Sequence, residues 1–178
     1  LPGVELKITD PETTKELSID EIGQIEVRGP NVFKGYWKMP EKTEAELRKN
    51  GFFITGDLGK IDVDGYVHIL GRDKDLIISG GYNIYPKELE EIIDDQAGVL
   101  ESAVIGVPHP DFGETPIAVI VSETENSPEM ETIENNLSKS LARYKHPRKL
   151  LWIDQLPRNT MGKVQKNILR EEYKNLFL

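Results

Sequence analysis

The chain has 178 residues, with 22 Lys and Arg against 31 Asp and Glu, for a formal net charge of -9. That balance excludes general nucleic-acid binding, which rests on a clustered cationic face, while leaving room for a local cationic pocket that takes one nucleotide. With no cysteine there are no disulfides, thiolate metal sites or cysteine nucleophiles, and the longest apolar runs fall far short of the roughly 20 residues a membrane helix needs.

At 38% hydrophobic the chain can build a real core, as one domain or two small ones. It begins Leu-Pro-Gly rather than with Met, and we expect it to be a piece of a longer protein whose targeting signals are out of view. Residues 1–70 read as short strands broken by turns. Val4 to Thr9 and Gln24 to Arg28 alternate apolar with polar, the period of a half-buried strand. Pro40 followed by Glu41 to Lys49 predicts a short helix with proline in its first turn. Asp64-Gly65 between Lys60-Ile61-Asp62 and Tyr66 to Leu70 predicts a hairpin, because glycine readily takes positive φ.

Past Asp75 the texture becomes mixed. Leu76-Ile77-Ile78 reads as a short buried strand, and Pro86 opens a helix with Leu89, Ile92 and Ile93 on one face. Val99 to Val107, Ile117 to Val121 and Lys149 to Ile153 read as strands. Ser127-Pro128-Glu129 predicts a helix start, with Ser127 as cap, and Val164 to Leu176 a final helix. The expected class is α+β: a small β-rich segment over 1–70, a link over 71–75 and a compact mixed domain over 76–178.

Four stretches have chemical potential. Thr55-Gly56-Asp57 puts a carboxylate just after an apolar strand, where it can accept bonds from the vicinal hydroxyls of a ribose; it would equally cap a turn. Gly71-Arg72-Asp73-Lys74-Asp75 alternates charge between apolar strands and suits either an exposed hinge or a solvated loop. Ser79-Gly80-Gly81, between a strand and a helix, leaves two positions without Cβ, open to a ligand's thin arm or to a tight turn. Lys163 follows Gly162 in a polar loop and could swing its charge onto a reacting carboxylate and phosphate, although most loop lysines are only solvated.

Other patterns lead nowhere. Asp62-Val63-Asp64-Gly65 lacks the later ligands of a calcium loop. His68, His109 and His146 have no zinc spacing, and Ser79 and Ser102 lack a nucleophile elbow. The acidic run Glu88, Glu90, Glu91, Asp94 and Asp95 reads as a solvated helix face.

Taken in order, the TGD turn, the GR-x-K-D link, the GG-x-N-x-x-P-x-E loop and the P-x4-GK loop closely resemble the C-terminal half of acyl-CoA synthetases of the adenylate-forming superfamily. The resemblance spans essentially the whole chain. It implies an enzyme that joins a carboxylate to ATP, releases pyrophosphate and passes the acyl group from AMP to coenzyme A. By that resemblance Asp57 holds the ribose hydroxyls, with Arg72 beside ribose and phosphate. Lys74 is the hinge, Gly80 and Gly81 form the loop over the pantetheine arm of CoA, and Lys163 is the adenylation lysine. Residues 1–70 would end the large N-terminal adenylation domain, and 76–178 would be its mobile C-terminal partner.

Within the family, Gly35 to Thr43, Phe52 to Gly59, Lys74 to Leu76 and Gly80 to Glu88 most resemble malonyl-CoA synthetases. Coumarate ligases and luciferases usually carry a lysine-bearing loop where this chain has Ile78-Ser79-Gly80-Gly81. Lys166 departs from the arginine many relatives place there, keeping the charge but not a bidentate contact. The Gly-, Ser- and Thr-rich phosphate loop and the aromatic-Gly-x-Thr-Glu motif for adenine and Mg2+ are not present. This length alone is therefore expected not to adenylate, and the Mg2+ site is expected in the N-terminal domain. The implied partners are a small carboxylate, ATP, CoA and that domain, with no nucleic acid, no membrane span and a cytoplasmic location. Other readings of the same motifs are a fatty-acid or aromatic-acid CoA ligase, a carrier-loading adenylation domain and a non-catalytic interaction module.

Overall fold

A computed structural model describes residues 2–123 and 128–178. The chain divides into two compact units, Leu1–Lys74 and Asp75–Leu178, each with its own sheet.

The first unit is a four-stranded antiparallel sheet in chain order: β1 (Glu5–Thr9), β2 (Gly23–Arg28), β3 (Phe53–Ile61) and β4 (Val67–Arg72). Alternation in β1 and β2 sets Ile8 opposite Ile25, and both are buried. The other face holds a buried carboxylate. Glu26, 1% exposed, lies directly across from Lys7. It accepts the Thr9 hydroxyl at 3.0 Å and the Arg48 guanidinium at 2.9 and 3.1 Å, while Lys7 Nζ stands 3.4 Å away. Burial by itself would raise the Glu26 carboxyl. The hydrogen bonds from Arg48 and Thr9, with the charges of Arg48 and Lys7, outweigh it and hold the group below its ordinary value. The expected short helix is α1 (Pro40–Glu46), with proline in its first turn. The Asp64-Gly65 hairpin joins β3 to β4 with Gly65 at φ +84°. Asp62 accepts the N–H groups of Asp64 and Tyr66 at 3.0 and 2.8 Å, so its carboxylate caps the turn.

The second unit runs β5 (Ile77–Ser79), β6 (Tyr82–Ile84), α2 (Pro86–Asp94), β7 (Val99–His109), β8 (Gly113–Ser122), α3 (Met130–Ser140), β9 (Leu150–Trp152) and α4 (Lys166–Tyr173). Its sheet has the order β6-β5-β8-β7, with β9 parallel to β8. Both faces are covered, which is why β7 and β8 read as nearly unbroken apolar runs. Val104, Ala118 and Ile120 face Leu89 and Ile93 of α2 and Ile133 and Leu137 of α3. Ala103, Ile105, Val107, Ile117, Val119 and Val121 face Leu169 of α4 and Leu156. Full burial of each Leu, Ile or Val is worth about 1.5–3 kcal/mol, so this two-faced core holds the unit together. The α+β class stands.

Some local expectations change. α3 begins at Met130 after Glu129, and Ser127 lies outside the described residues. The final helix starts at Lys166 rather than Val164. The acidic face of α2 is not simply solvated. Glu88 takes Lys145 Nζ at 2.7 Å on both oxygens; Glu90 takes Lys166 Nζ at 2.6 Å and the Val104 N–H at 2.7 Å. Those cations arrive from far along the chain, where helical periodicity gives no hint of them.

Candidate functional site

The Thr55-Gly56-Asp57 segment is not a turn after a strand; it lies within β3. Ile54 pairs with Glu26 and Leu58 with Gln24, so Thr55, Gly56 and Asp57 together face the single residue Ile25. This is a β-bulge of three residues against one, a device that re-aims side chains. Gly56 makes it possible with φ +74°, a conformation other residues rarely adopt. The Thr55 hydroxyl holds the kink from both sides, donating to Ile25 O at 3.0 Å and accepting the Asp57 N–H at 3.1 Å.

On its other edge β3 regains pairing, with Asp57 directly opposite Arg72 of β4. The Arg72 Nε lies 3.2 Å from Asp57 Oδ1, and its Nη1 donates to Thr55 O at 2.9 Å. The guanidinium thus grips both the carboxylate and the backbone of the bulge, and both side chains remain partly open to solvent. Thr55, Gly56, Arg72 and Lys74 line one cleft of about 650 Å³ with Tyr36 and Lys42. Tyr36 donates its hydroxyl to Glu46, and that bond raises the phenol above its ordinary pKa. Lys74 is exposed, in a single 3₁₀ turn over Asp73–Asp75.

Gly80 and Gly81 are not a loop opening directly onto a helix. They form a two-residue hairpin turn between β5 and β6, with φ of +56° and +85°, and the sequence reading missed β6. Positive φ at both central positions matches the twist of paired strands, which is why two glycines sit there. The Gly80 N–H donates to Phe112 O at 3.0 Å, and a Cβ on Gly80 would come 3.3 Å from the Phe112 ring. A Cβ on Gly81 would meet open space.

Lys163 is exposed at the end of a polar loop between β9 and α4, with no ion pair among the described residues. The loop is anchored through Arg158, which pairs with Glu101 at the start of β7. Ser79, beside the glycine turn, pairs with Gly113 at the start of β8, which lies opposite His109. The Lys163 loop and the glycine turn are therefore anchored at opposite ends of the β7–β8 ladder, roughly 25 Å apart by strand rise. Of the residues singled out from sequence, Asp57 and Arg72 come into contact and share a unit with Lys74. Gly80 and Gly81 stand apart from Lys163.

Residues 88–163 match the AMP-binding enzyme C-terminal domain. Over those residues the chain carries an AMP-binding enzyme C-terminal domain. ATP-bound MatB from Rhodopseudomonas palustris matches all of it and 35% of its own chain, with TM-score 0.92 and 61% identity. The long-chain-fatty-acid–CoA ligase FadD13 of Mycobacterium tuberculosis is 42% identical over 151 residues, 85% of this chain and 30% of its own length. The 2-succinylbenzoate–CoA ligase of Geobacillus kaustophilus is 42% identical over 157 residues, 88% of this chain and 31% of its own. The chain thus spans about 30% of the length of these curated relatives. Among the described residues no helix is long and apolar enough to cross a membrane.

Sequence reasoning missed Glu26, a buried carboxylate opposite Ile54, and Glu101, Arg158 and Asn159, which hold the Lys163 loop. Only Asn159 left a local trace, as an Asn three residues before Gly162 in a polar loop.

Proposed function

We propose that this chain is part of an AMP-forming acid–CoA ligase that works in two steps at one reacting centre. In the first, a carboxylate oxygen attacks the α-phosphorus of ATP and pyrophosphate leaves, giving acyl-AMP. In the second, the CoA thiol attacks the acyl carbon, AMP leaves and the thiol proton is released. The observation that carries this reading is the placement of the glycine turn and Lys163 at opposite ends of the β7–β8 ladder. Groups so separated suit two steps that succeed each other by movement of a domain, each end presented in turn.

On this reading Asp57 accepts the ribose hydroxyls of the adenylate, and Arg72, which already orients that carboxylate, faces ribose and phosphate. Lys74 is the hinge position. Lys163 stabilises the negative charge that gathers on carboxylate and phosphate during the first step, and no ion pair among the described residues neutralises it beforehand. Gly80 and Gly81 leave room for the pantetheine arm in the second. The phosphate loop, adenine contacts and most of the acyl pocket belong to an N-terminal adenylation domain. Among the described residues no group of three or more His, Cys, Asp or Glu is placed to hold a metal ion, and on this reading Mg2+ would be held by the N-terminal domain.

Malonate is the favoured acid, because the 61% identity to MatB, a malonyl-CoA synthetase, exceeds the 42% identity to FadD13 and to the 2-succinylbenzoate ligase. The test is pyrophosphate release by the intact enzyme with ATP, Mg2+ and malonate, methylmalonate, acetate, a long-chain fatty acid or coumarate. Strong preference for malonate is expected. Preference for a fatty or aromatic acid would favour the FadD13-like or aromatic-acid reading. No pyrophosphate with any acid, and no loading of a carrier protein, would leave a non-catalytic module.

A further inference from the structure

We infer that Arg158 and Asn159 are positioning residues that aim Lys163, an inference that rests on the adenylation role proposed for that lysine. The loop from Arg158 to Lys163 is surface chain, with Met161 78% exposed. Such a segment buries little and gains little stability from being ordered, while ordering costs about 1–2 kcal/mol per residue in backbone entropy. Yet Arg158, Asn159, Met161, Gly162 and Lys163 are all tied by hydrogen bonds.

Asn159 ties it from within. Its Oδ1 accepts the N–H groups of Met161 and Lys163, both at 3.0 Å. Its main-chain N–H donates to Lys163 O, and its carbonyl accepts the Gly162 N–H, each at 2.9 Å. Gly162 reverses the chain at φ +78°. Arg158 ties it from outside: Nη1 donates to Gly162 O at 2.6 Å, and Nη2 pairs with the Glu101 carboxylate. Glu101 follows a bulge in β7, which aims it off the regular register. The base is closed by the Arg158–Val164 bridge and by Gln165 N–H to Pro157 O at 2.8 Å.

Both peptide units flanking Lys163 are thus fixed to the sheet, and the flexible amine leaves from a stiff base. A planar fork is needed at 158, because one group must reach a carbonyl and a carboxylate in different directions; a lysine presents a point charge and cannot hold both in one geometry. Asn159 needs only its acceptor oxygen, so aspartate there should keep both bonds.

The test compares Arg158→Lys, Asn159→Ala and Asn159→Asp in the intact ligase, alone and combined with Lys163→Ala. Two half-reactions are read separately: pyrophosphate release from ATP and acid, and thioester formation from supplied acyl-AMP and CoA. Arg158→Lys and Asn159→Ala are expected to lower kcat of the first about ten- to a hundred-fold, the usual effect of a small misplacement. KM for ATP and the second half-reaction should hold steady. Asn159→Asp should recover the loss, and none of the three should add to Lys163→Ala. If Lys163→Ala stops the first half-reaction while Arg158→Lys and Asn159→Ala leave it intact, the positioning inference is wrong and the lysine assignment survives. Equal loss in both half-reactions would mean a structural role and also overturn it. Full activity of Lys163→Ala would overturn the proposed function, and this inference with it.

Discussion

The Thr55–Asp57 bulge and the Arg158–Lys163 loop each aim one charged side chain, and they do so in opposite ways. The bulge interrupts a strand paired on both edges, and its carboxylate already has a cation, Arg72, at 3.2 Å. The loop hangs outside the sheet on side-chain bonds of its own, and its lysine has no ion-pair partner among the described residues. A group that binds a substrate through both steps gains from being held and partly neutralised beforehand, since little is left to reorganise. A group that must meet charge only as it develops gains from having none to give up. The two designs therefore predict different kinetic faults.

Lys163→Ala should produce the largest effect. On the proposed role, in which its charge serves only the first transition state, kcat for pyrophosphate release should fall by about 10²–10³, with KM for ATP little changed and thioester formation from supplied acyl-AMP preserved. A rise in KM with kcat intact would erase the contrast, because Lys163 would then be a ground-state binder like Asp57.

Asp57→Ala should come next and differ in kind. Losing charge-assisted bonds of about 1.5–3 kcal/mol should raise KM for ATP roughly ten- to a hundred-fold, with a smaller change in kcat. Stability should shift by under about 1 kcal/mol, because the pair with Arg72 is partly solvated. An unchanged KM would mean that Asp57 serves only the bulge.

The smallest effect on turnover is expected from Glu26→Gln, which sharpens the comparison through pH. Glu26 lies beside the bulge, paired with Ile54. Its folded pKa is lowered from 4.5, so its contribution to stability is present above that value and is lost as pH falls through the folded pKa. Protection against amide exchange in β2 and β3, corrected for the intrinsic pH dependence of exchange, should therefore fall in the parent protein as pH drops below about 4.5, with a flatter profile in Glu26→Gln. At neutral pH the variant should be about 1–3 kcal/mol weaker there. Identical pH profiles, or acceleration in the Lys163 loop as well, would show that the bulge does not lean on this carboxylate.

How much was legible beforehand follows the range of each interaction. Alternation in Val4–Thr9 and Gln24–Arg28, proline at positions 40 and 86, and Asp64-Gly65 located β1, β2, α1, α2 and the β3–β4 hairpin, because periodicity and turn chemistry are local. The apolar runs near 104 and 118 announced strands, and the structure covers both of their faces. The order of short motifs pointed to the family, since four weak signals in fixed sequence are together specific. Read alone, Thr55-Gly56-Asp57 looked like a turn and Ser79-Gly80-Gly81 like a loop into a helix, and tertiary pairing made them a bulge and a hairpin tip. The same holds for α2: Glu88 and Glu90 read as solvated until Lys145 and Lys166 reached them from 57 and 76 residues away.

By itself, then, the sequence determined most of the elements, though not β6, together with the α+β class and the choice of Asp57, Arg72 and Lys163 as candidate charged residues. Register, the two bulges that aim Asp57 and Glu101, and the forked grip of Arg158 on a carboxylate 57 residues away were decided only in the tertiary structure. The physical reason is that a strand's own pattern sets which face is buried, whereas which residue stands opposite which depends on chain that is distant in sequence.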